Sequence, residues 1–96
     1  QGNKMRVQKL DFSGCRYVYD VHSEIKNALD FPDYYGGNLD ALHDCLTDDY
    51  GSEAVLIEIY GYNFAPEEII RELEGIMAVF DSCAGELSGL DYKIMS

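Results

Sequence analysis

Residues 31–50 read FPDYYGGNLDALHDCLTDDY, an aromatic loop with two glycines that leads into a short helix. With Asn38 as the N-cap and about 100° of rotation per residue, the apolar side of this helix carries Leu39, Leu42 and Leu46, flanked by Cys45. The opposite side is polar, and its members are Asp40, His43, Asp44, Thr47 and Asp48. We therefore predict an amphipathic helix with a carboxylate-rich outer face.

The three aspartates of that face are successive i,i+4 neighbours. Like charges at this spacing destabilise a helix. The helix dipole favours only Asp40 in the first turn and opposes Asp48 near the C-terminal end. Because a purely structural helix would avoid this arrangement, we predict that the face binds something cationic.

Length and charge limit the possible functions. The 96 residues, 47% of them hydrophobic, can build one core but not two. We predict a single domain over residues 1–96, of which residues 1–3 could be a cloning remnant. A formal net charge of −11 repels phosphate, so we expect no direct binding to nucleic acid or to an anionic membrane surface.

The cysteines and the N-terminal segment indicate a cellular compartment. Cys15, Cys45 and Cys83 are odd in number and form no CxxC motif, which favours reduced thiols. The N-terminal stretch has no hydrophobic signal core, and no apolar run approaches the length of a membrane span. We therefore predict a cytoplasmic protein.

The first half of the chain predicts a strand and a helix before the loop. Residues 5–12 place apolar side chains among polar ones and then reach a Ser-Gly turn, as in a strand. Asp20 is a candidate N-cap for a helix of about ten residues, which the Phe31-Pro32 pair ends. Gly36 and Gly37 would allow a positive φ before the next helix.

The second half predicts strand, helix and strand. Residues 54–60 form a β-branched apolar run typical of a central strand covered on both faces. Pro66 begins a helix, and alternation near the C-terminus predicts a last strand. The order β, α, α, β, α, β predicts an α/β fold with a parallel sheet. The core stripe of the long helix is Ile69, Ile70, Leu73, Ile76, Met77 and Phe80.

The run from Pro32 to Thr47 closely resembles the signature segment of the barstar family of intracellular ribonuclease inhibitors. The resemblance extends over essentially the whole chain, although its specific part is residues 31–47. It implies a three-stranded parallel sheet packed with about three to four helices. It also implies a loop-plus-helix surface that plugs the active site of a small basic guanyl-preferring ribonuclease, without a cofactor.

The resemblance implies roles for individual residues. Tyr34 matches the loop aromatic, and Asp40 and Asp44 match the two key helix acids, with Asp44 standing in for the substrate phosphate. Thr47 matches a further contact, and Glu86 an acidic contact from the last helix. The full predicted partner-binding set is Tyr34, Gly36, Asp40, His43, Asp44, Thr47, Asp48 and Glu86.

The chain departs from the family pattern at several contact positions. His43 stands where the type member has tryptophan, Asp48-Asp49 replaces a glycine–aromatic pair, and Ser82 aligns with an acidic contact. Loss of a large aromatic removes an expected hot-spot anchor. We therefore expect a partner that is more basic or differently shaped, bound as a 1:1 heterodimer by a chain that is monomeric when free.

Three other functions compete with inhibition. Enzymatic use of His43 with Asp40 or Asp44 is disfavoured, because an exposed helix face lacks the concave site that catalysis needs. The same residues could bind a divalent metal weakly, although no calcium-loop spacing is present. An acidic interaction domain for some other basic protein stays open.

Overall fold

A computed structural model describes residues 6–33, 35–49, 54–87 and 89–95, and it has the predicted order of elements. A single-turn 3-10 helix over Tyr62–Phe64 is the one described element that the sequence did not predict. The strands are β1 (Arg6–Asp11), β2 (Val55–Tyr60) and β3 (Leu90–Ile94), and the helices are α1 (Val18–Ala28), α2 (Leu39–Asp49) and α3 (Glu67–Glu86).

The three strands form one parallel sheet in the order β1-β2-β3, so the predicted central strand is confirmed. Within β2, Val55, Ile57 and Ile59 are buried, whereas the residues between them are only half-buried. The prediction that this strand is covered on both faces is therefore wrong. Helix α1 contacts β1, α3 contacts β3 and the two helices contact each other, which puts both on the same face of the sheet.

None of the described helices packs on the opposite face of the sheet. Lys9, Glu58 and Lys93 are paired in register across the three strands, so their side chains share one row on that face. This row therefore places a cation, an anion and a cation next to one another on the sheet. The aliphatic Leu56 on the same face is half-buried by its neighbours rather than by a second layer.

Helix α1 begins earlier than predicted. Tyr17 occupies the N-cap position, and Asp20 is the third helical residue, where its Oδ2 accepts the backbone N–H groups of Arg16 and Tyr17 at 3.1 Å. Asp20 therefore caps the helix from inside its first turn, which is the acidic half of a capping box. At the other end Asp30 adopts a φ of 57°, and the Phe31 N–H donates to the Lys26 carbonyl at 3.0 Å.

Helices α2 and α3 pack closely. Asn38 is the N-cap of α2, as predicted, since its Oδ1 accepts the Ala41 N–H at 2.8 Å. A Cβ on Gly75 of α3 would lie 2.8 Å from Leu39 Cδ1, so the glycine permits this close approach. Pro66 is the N-cap residue of α3, one position before its first turn, and Phe80 is among the largest fully buried side chains of the core.

Candidate functional site

The candidate site is centred on the outer side of α2, which we call the acidic face and define as Asp40, Asp44 and Asp48. All three side chains are exposed, and that of Asp44 in the middle has 81% of its surface accessible. Leu42 and Leu46 on the inner side are fully buried. The predicted sidedness of this helix is therefore confirmed.

The end of α3 brings a fourth carboxylate to the acidic face. His43 lies on α2 with Nε2 at 3.2 Å from Glu86 Oε2, and its Nδ1 is 4.0 Å from Asp44 Oδ1. Both partners of the His43–Glu86 contact are partly exposed, at 36% and 53% of their side-chain surfaces. Two residues predicted separately as partner contacts thus touch each other.

Thr47 stands on the same side of α2 but uses its hydroxyl proton internally. Its Oγ1 donates to the backbone carbonyls of His43 and Asp44, at 3.1 and 3.0 Å. The hydroxyl oxygen keeps acceptor capacity. Thr47 could therefore accept a hydrogen bond from a bound cationic group, but its proton is already committed to the helix.

The loop before α2 is described only in part. Tyr34, the predicted loop aromatic, lies outside the described residues, as does the side chain of Asp49. Tyr35 is buried, and its ring centroid is 5.2 Å from that of Phe31. Gly37 has a positive φ of 71°, as predicted, but Gly36 does not, so the positive-φ prediction is wrong at Gly36.

A buried polar bridge beneath this loop was missed by the sequence analysis. His22 of α1 is 4% exposed, with Nδ1 at 2.6 Å from the Tyr35 hydroxyl and Nε2 at 2.6 Å from Glu72 Oε2 on α3. Burial raises the pKa of Tyr35 well above its ordinary value. The available signal was that His22 lies at helical spacing from Ile25 and Leu29, which places it on the inner side of α1.

An open groove of about 540 Å³ lies between α1 and the loop over residues 35–37. Its lining includes the buried His22 and Tyr35, whereas His43 is not part of it. The imidazole of His43, which lies among the carboxylates, is therefore outside the groove and on the outer side of α2.

The three cysteines are all buried, and none of them is in a disulfide. Burial, with a smaller contribution from nearby carboxylates, raises the pKa of the Cys15 and Cys83 thiols to about 11. These thiols stay protonated at neutral pH and are poor nucleophiles. In the ranges that the structure covers, no group of three or more His, Cys, Asp or Glu side chains could hold a metal ion.

Comparison with known families assigns the chain. A family model described as Barstar (barnase inhibitor) matches residues 5–95, nearly the full length. The chain belongs to the barstar family. Its three-stranded parallel sheet with three α-helices agrees with the fold that the resemblance implied.

The comparison with curated proteins adds a relative from Bacillus subtilis (strain 168), named "Putative ribonuclease inhibitor YrdF". It is 70% identical to this barstar-family chain over 43 residues, which are 45% of the chain and 47% of the relative. The alignment therefore spans about half the length of that relative. No helix among the described residues is both long and apolar enough to cross a membrane.

Of the predicted partner-binding residues of this barstar-family chain, six form one continuous surface on α2 and the end of α3. Gly36 is exposed in the loop on the way into α2, and Tyr34 is not described. The roles of these residues in binding stay predictions. The six residues are Asp40, His43, Asp44, Thr47, Asp48 and Glu86.

Proposed function

We propose that this barstar-family chain inhibits a small basic guanyl-preferring ribonuclease of the barnase type. The loop over residues 31–38 and the acidic face cover the active site of the enzyme, and Asp44 takes the position of a substrate phosphate. The observation that carries the proposal is the row of exposed carboxylates on α2, joined by Glu86 from α3.

The carboxylates of the acidic face have no lysine or arginine partner within the described ranges. Neither Asp40, Asp44 nor Asp48 forms an ion pair there with a lysine or arginine, and His43 is 4.0 Å from Asp44. A ribonuclease cleft that binds a phosphodiester offers arginine, lysine and histidine donors. Charge-assisted hydrogen bonds from such donors to free carboxylates are among the strong ones.

Two comparisons support the proposal. The family is described as barnase inhibitor, and the B. subtilis relative carries an inhibitor name. Asp44 is the natural candidate for the phosphate position, because it lies at the centre of the face and has 81% of its side-chain surface accessible. Asp40 and Asp48 flank it at one helical turn on either side.

The residues that depart from the family pattern should change which ribonuclease the chain binds. His43 contributes an imidazole held against Glu86 instead of a large aromatic surface. Asp48 adds a negative charge at the end of α2. A cognate enzyme would therefore present more cationic surface to this region and less apolar surface than the enzyme bound by the type member.

The proposed stoichiometry of the complex is based on the same surface. One acidic face fills one active site, which gives a 1:1 complex with a chain that is monomeric when free. Three buried cysteines outside any disulfide are compatible with action in the reducing cytosol, where an inhibitor would protect its producer from the enzyme.

The test compares two single-charge variants for inhibition of candidate guanyl ribonucleases. Asp44→Asn keeps shape and removes the proposed phosphate mimic, whereas Asp91→Asn removes one exposed charge from β3 as a matched control. A lost hydrogen bond to a charged group is worth about 1.5–3 kcal/mol, so Asp44→Asn should weaken the Kd about tenfold to hundredfold. Asp91→Asn should stay within a few-fold of the natural chain.

Two results would contradict the proposal. Equal affinities of the Asp44→Asn and Asp91→Asn variants would remove Asp44 from the phosphate position. Failure of the natural chain to inhibit any guanyl ribonuclease, together with tight binding to another basic protein, would make it an acidic interaction domain of a different kind.

A further inference from the structure

His22 is the buried polar residue that the proposed inhibition does not use. Among the described residues His22 is the one buried polar side chain, and each of its ring nitrogens has a hydrogen-bond partner. Tyr35 belongs to the loop before α2, His22 to α1 and Glu72 to α3. The bridge therefore ties the loop to two helices that pack against the sheet.

The protons of the bridge can be assigned from its chemistry. An ionised Glu72 carboxylate only accepts, so His22 Nε2 carries the proton and donates to it. In the neutral imidazole, Nδ1 then accepts from the Tyr35 hydroxyl. All polar atoms of the bridge are satisfied in this arrangement, and a buried hydrogen bond is stronger than one made in water.

The described loop has other attachments, but they are of a different kind. Lys26 Nζ is 3.2 Å from Asp33 Oδ1, with the aspartate fully exposed, and such surface pairs contribute little. The Tyr35 N–H donates to the Pro32 carbonyl at 3.0 Å within the loop itself. The Tyr35 hydroxyl is thus a buried polar anchor of the loop on the helices.

We infer that the Tyr35–His22–Glu72 bridge holds residues 35–37 of the loop before α2 in their binding conformation, with His22 and Glu72 as positioning residues for ribonuclease binding. This inference rests on the proposed function, since it names what prepares the binding surface. A loop ordered before the encounter loses less conformational entropy on binding. His22 and Glu72 act through Tyr35, which belongs to that loop.

The experiment uses two charge-matched variants of α3. Glu72→Ala removes the His22–Glu72 contact that holds the bridge on α3, and Glu74→Ala removes an exposed glutamate two positions along the same helix. Both lower the net negative charge equally, so long-range attraction of a basic enzyme falls equally. Glu72→Gln keeps an acceptor oxygen for His22 Nε2 and should restore what Glu72→Ala loses.

Two readouts are measured on each variant. The first is amide hydrogen exchange of Tyr35 in the free protein, with the Leu42 N–H, which donates to the Asn38 carbonyl at 3.0 Å, as the reference for α2. The second is the dissociation rate from the inhibited ribonuclease. We expect Glu72→Ala to raise both the Tyr35 exchange rate and the dissociation rate about tenfold over Glu74→Ala, corresponding to about 1.4 kcal/mol, with Leu42 exchange unchanged.

The outcomes separate the two proposals. Equal Tyr35 exchange in Glu72→Ala and Glu74→Ala would overturn the positioning role, whether or not any ribonuclease is bound. Faster exchange at both Tyr35 and Leu42 would also overturn it, because the bridge would then stabilise the whole fold. A natural chain that binds no ribonuclease would overturn the proposed function, and faster exchange of Tyr35 alone would then leave a loop anchor serving some other partner.

Discussion

Replacing Asp44 by Asn should stabilise the free protein while it weakens inhibition. Asp44 lies one helical turn from both Asp40 and Asp48, and α2 spans Leu39–Asp49 without a basic residue in its last turn. Each like-charge i,i+4 pair costs about 0.2–0.5 kcal/mol, so removal of two pairs should raise the free energy of unfolding by about 0.4–1 kcal/mol.

The neighbouring aspartates provide controls with different expected signs. Asp40→Asn relieves one repulsive pair but also loses a favourable helix-dipole interaction in the first turn, so the two effects roughly cancel. Asp48→Asn relieves one pair and an unfavourable dipole interaction, so it should stabilise at least as much as Asp44→Asn. The expected order of stability is therefore Asp48→Asn and Asp44→Asn above Asp40→Asn.

Urea unfolding followed by far-ultraviolet circular dichroism measures these differences, since the chain has no tryptophan. The gains should be largest at low ionic strength and nearly vanish at about 1 M salt, where the Debye length is about 3 Å. A destabilised Asp44→Asn variant, or gains that persist at high salt, would refute the explanation by charge repulsion.

Three further predictions concern backbone conformation, alkaline pH and association. Gly61→Ala should destabilise by about 2–4 kcal/mol in urea unfolding, because Gly61 has a φ of 80° and the added Cβ would clash with the Ser13 backbone N. Gly14→Ala, with no atom within 4 Å of its Cβ, should be nearly neutral, and similar losses in both variants would contradict this. A hydrogen bond to Asp81, with burial, raises the pKa of Tyr92 to about 12 from an ordinary 10. Between these two pH values the folded state keeps the Tyr92 proton, whereas the unfolded state releases it. The free energy of unfolding should therefore fall as the pH rises from about 10 to 12. A Tyr92→Phe variant with the same alkaline slope would refute that assignment. If the acidic face steers a basic ribonuclease, the association rate of the two proteins should drop as salt rises past about 0.15 M, where the Debye length is about 8 Å. Stopped-flow kinetics would measure this rate, and a rate that does not depend on salt would argue against steering.

Local patterns in the sequence predicted most of the elements because they depend on near neighbours. The spacing of Leu39, Leu42 and Leu46 predicted the inner side of α2, and the cap at Asn38 follows from its own side-chain oxygen. The incorrect prediction of Asp20 as the N-cap also concerns only near neighbours. An acidic side chain can cap a helix either from the N-cap position or from within the first turn.

The sequence of β2 did not reveal whether one or both faces of the sheet are packed against helices. Residues 55–60 are mostly aliphatic, and such a run looks the same whether a second helical layer covers it or adjoining strands shield it partly. The row of Lys9, Glu58 and Lys93 becomes visible only when the register is known. A strand sequence carries its own alternation but not the identity of its cross-strand neighbours.

The sequence by itself determined the order of elements, the family and the acidic side of α2, since each depends on residue types at fixed short spacings. Only the tertiary structure decided that Glu86 meets His43 and that His22 joins Tyr35 to Glu72. These contacts join residues far apart in the chain, and they form because α3 packs against both α1 and α2, with Gly75 admitting Leu39. Helical periodicity predicts which side of a helix faces inward, whereas the packing of helices decides which side chains meet there.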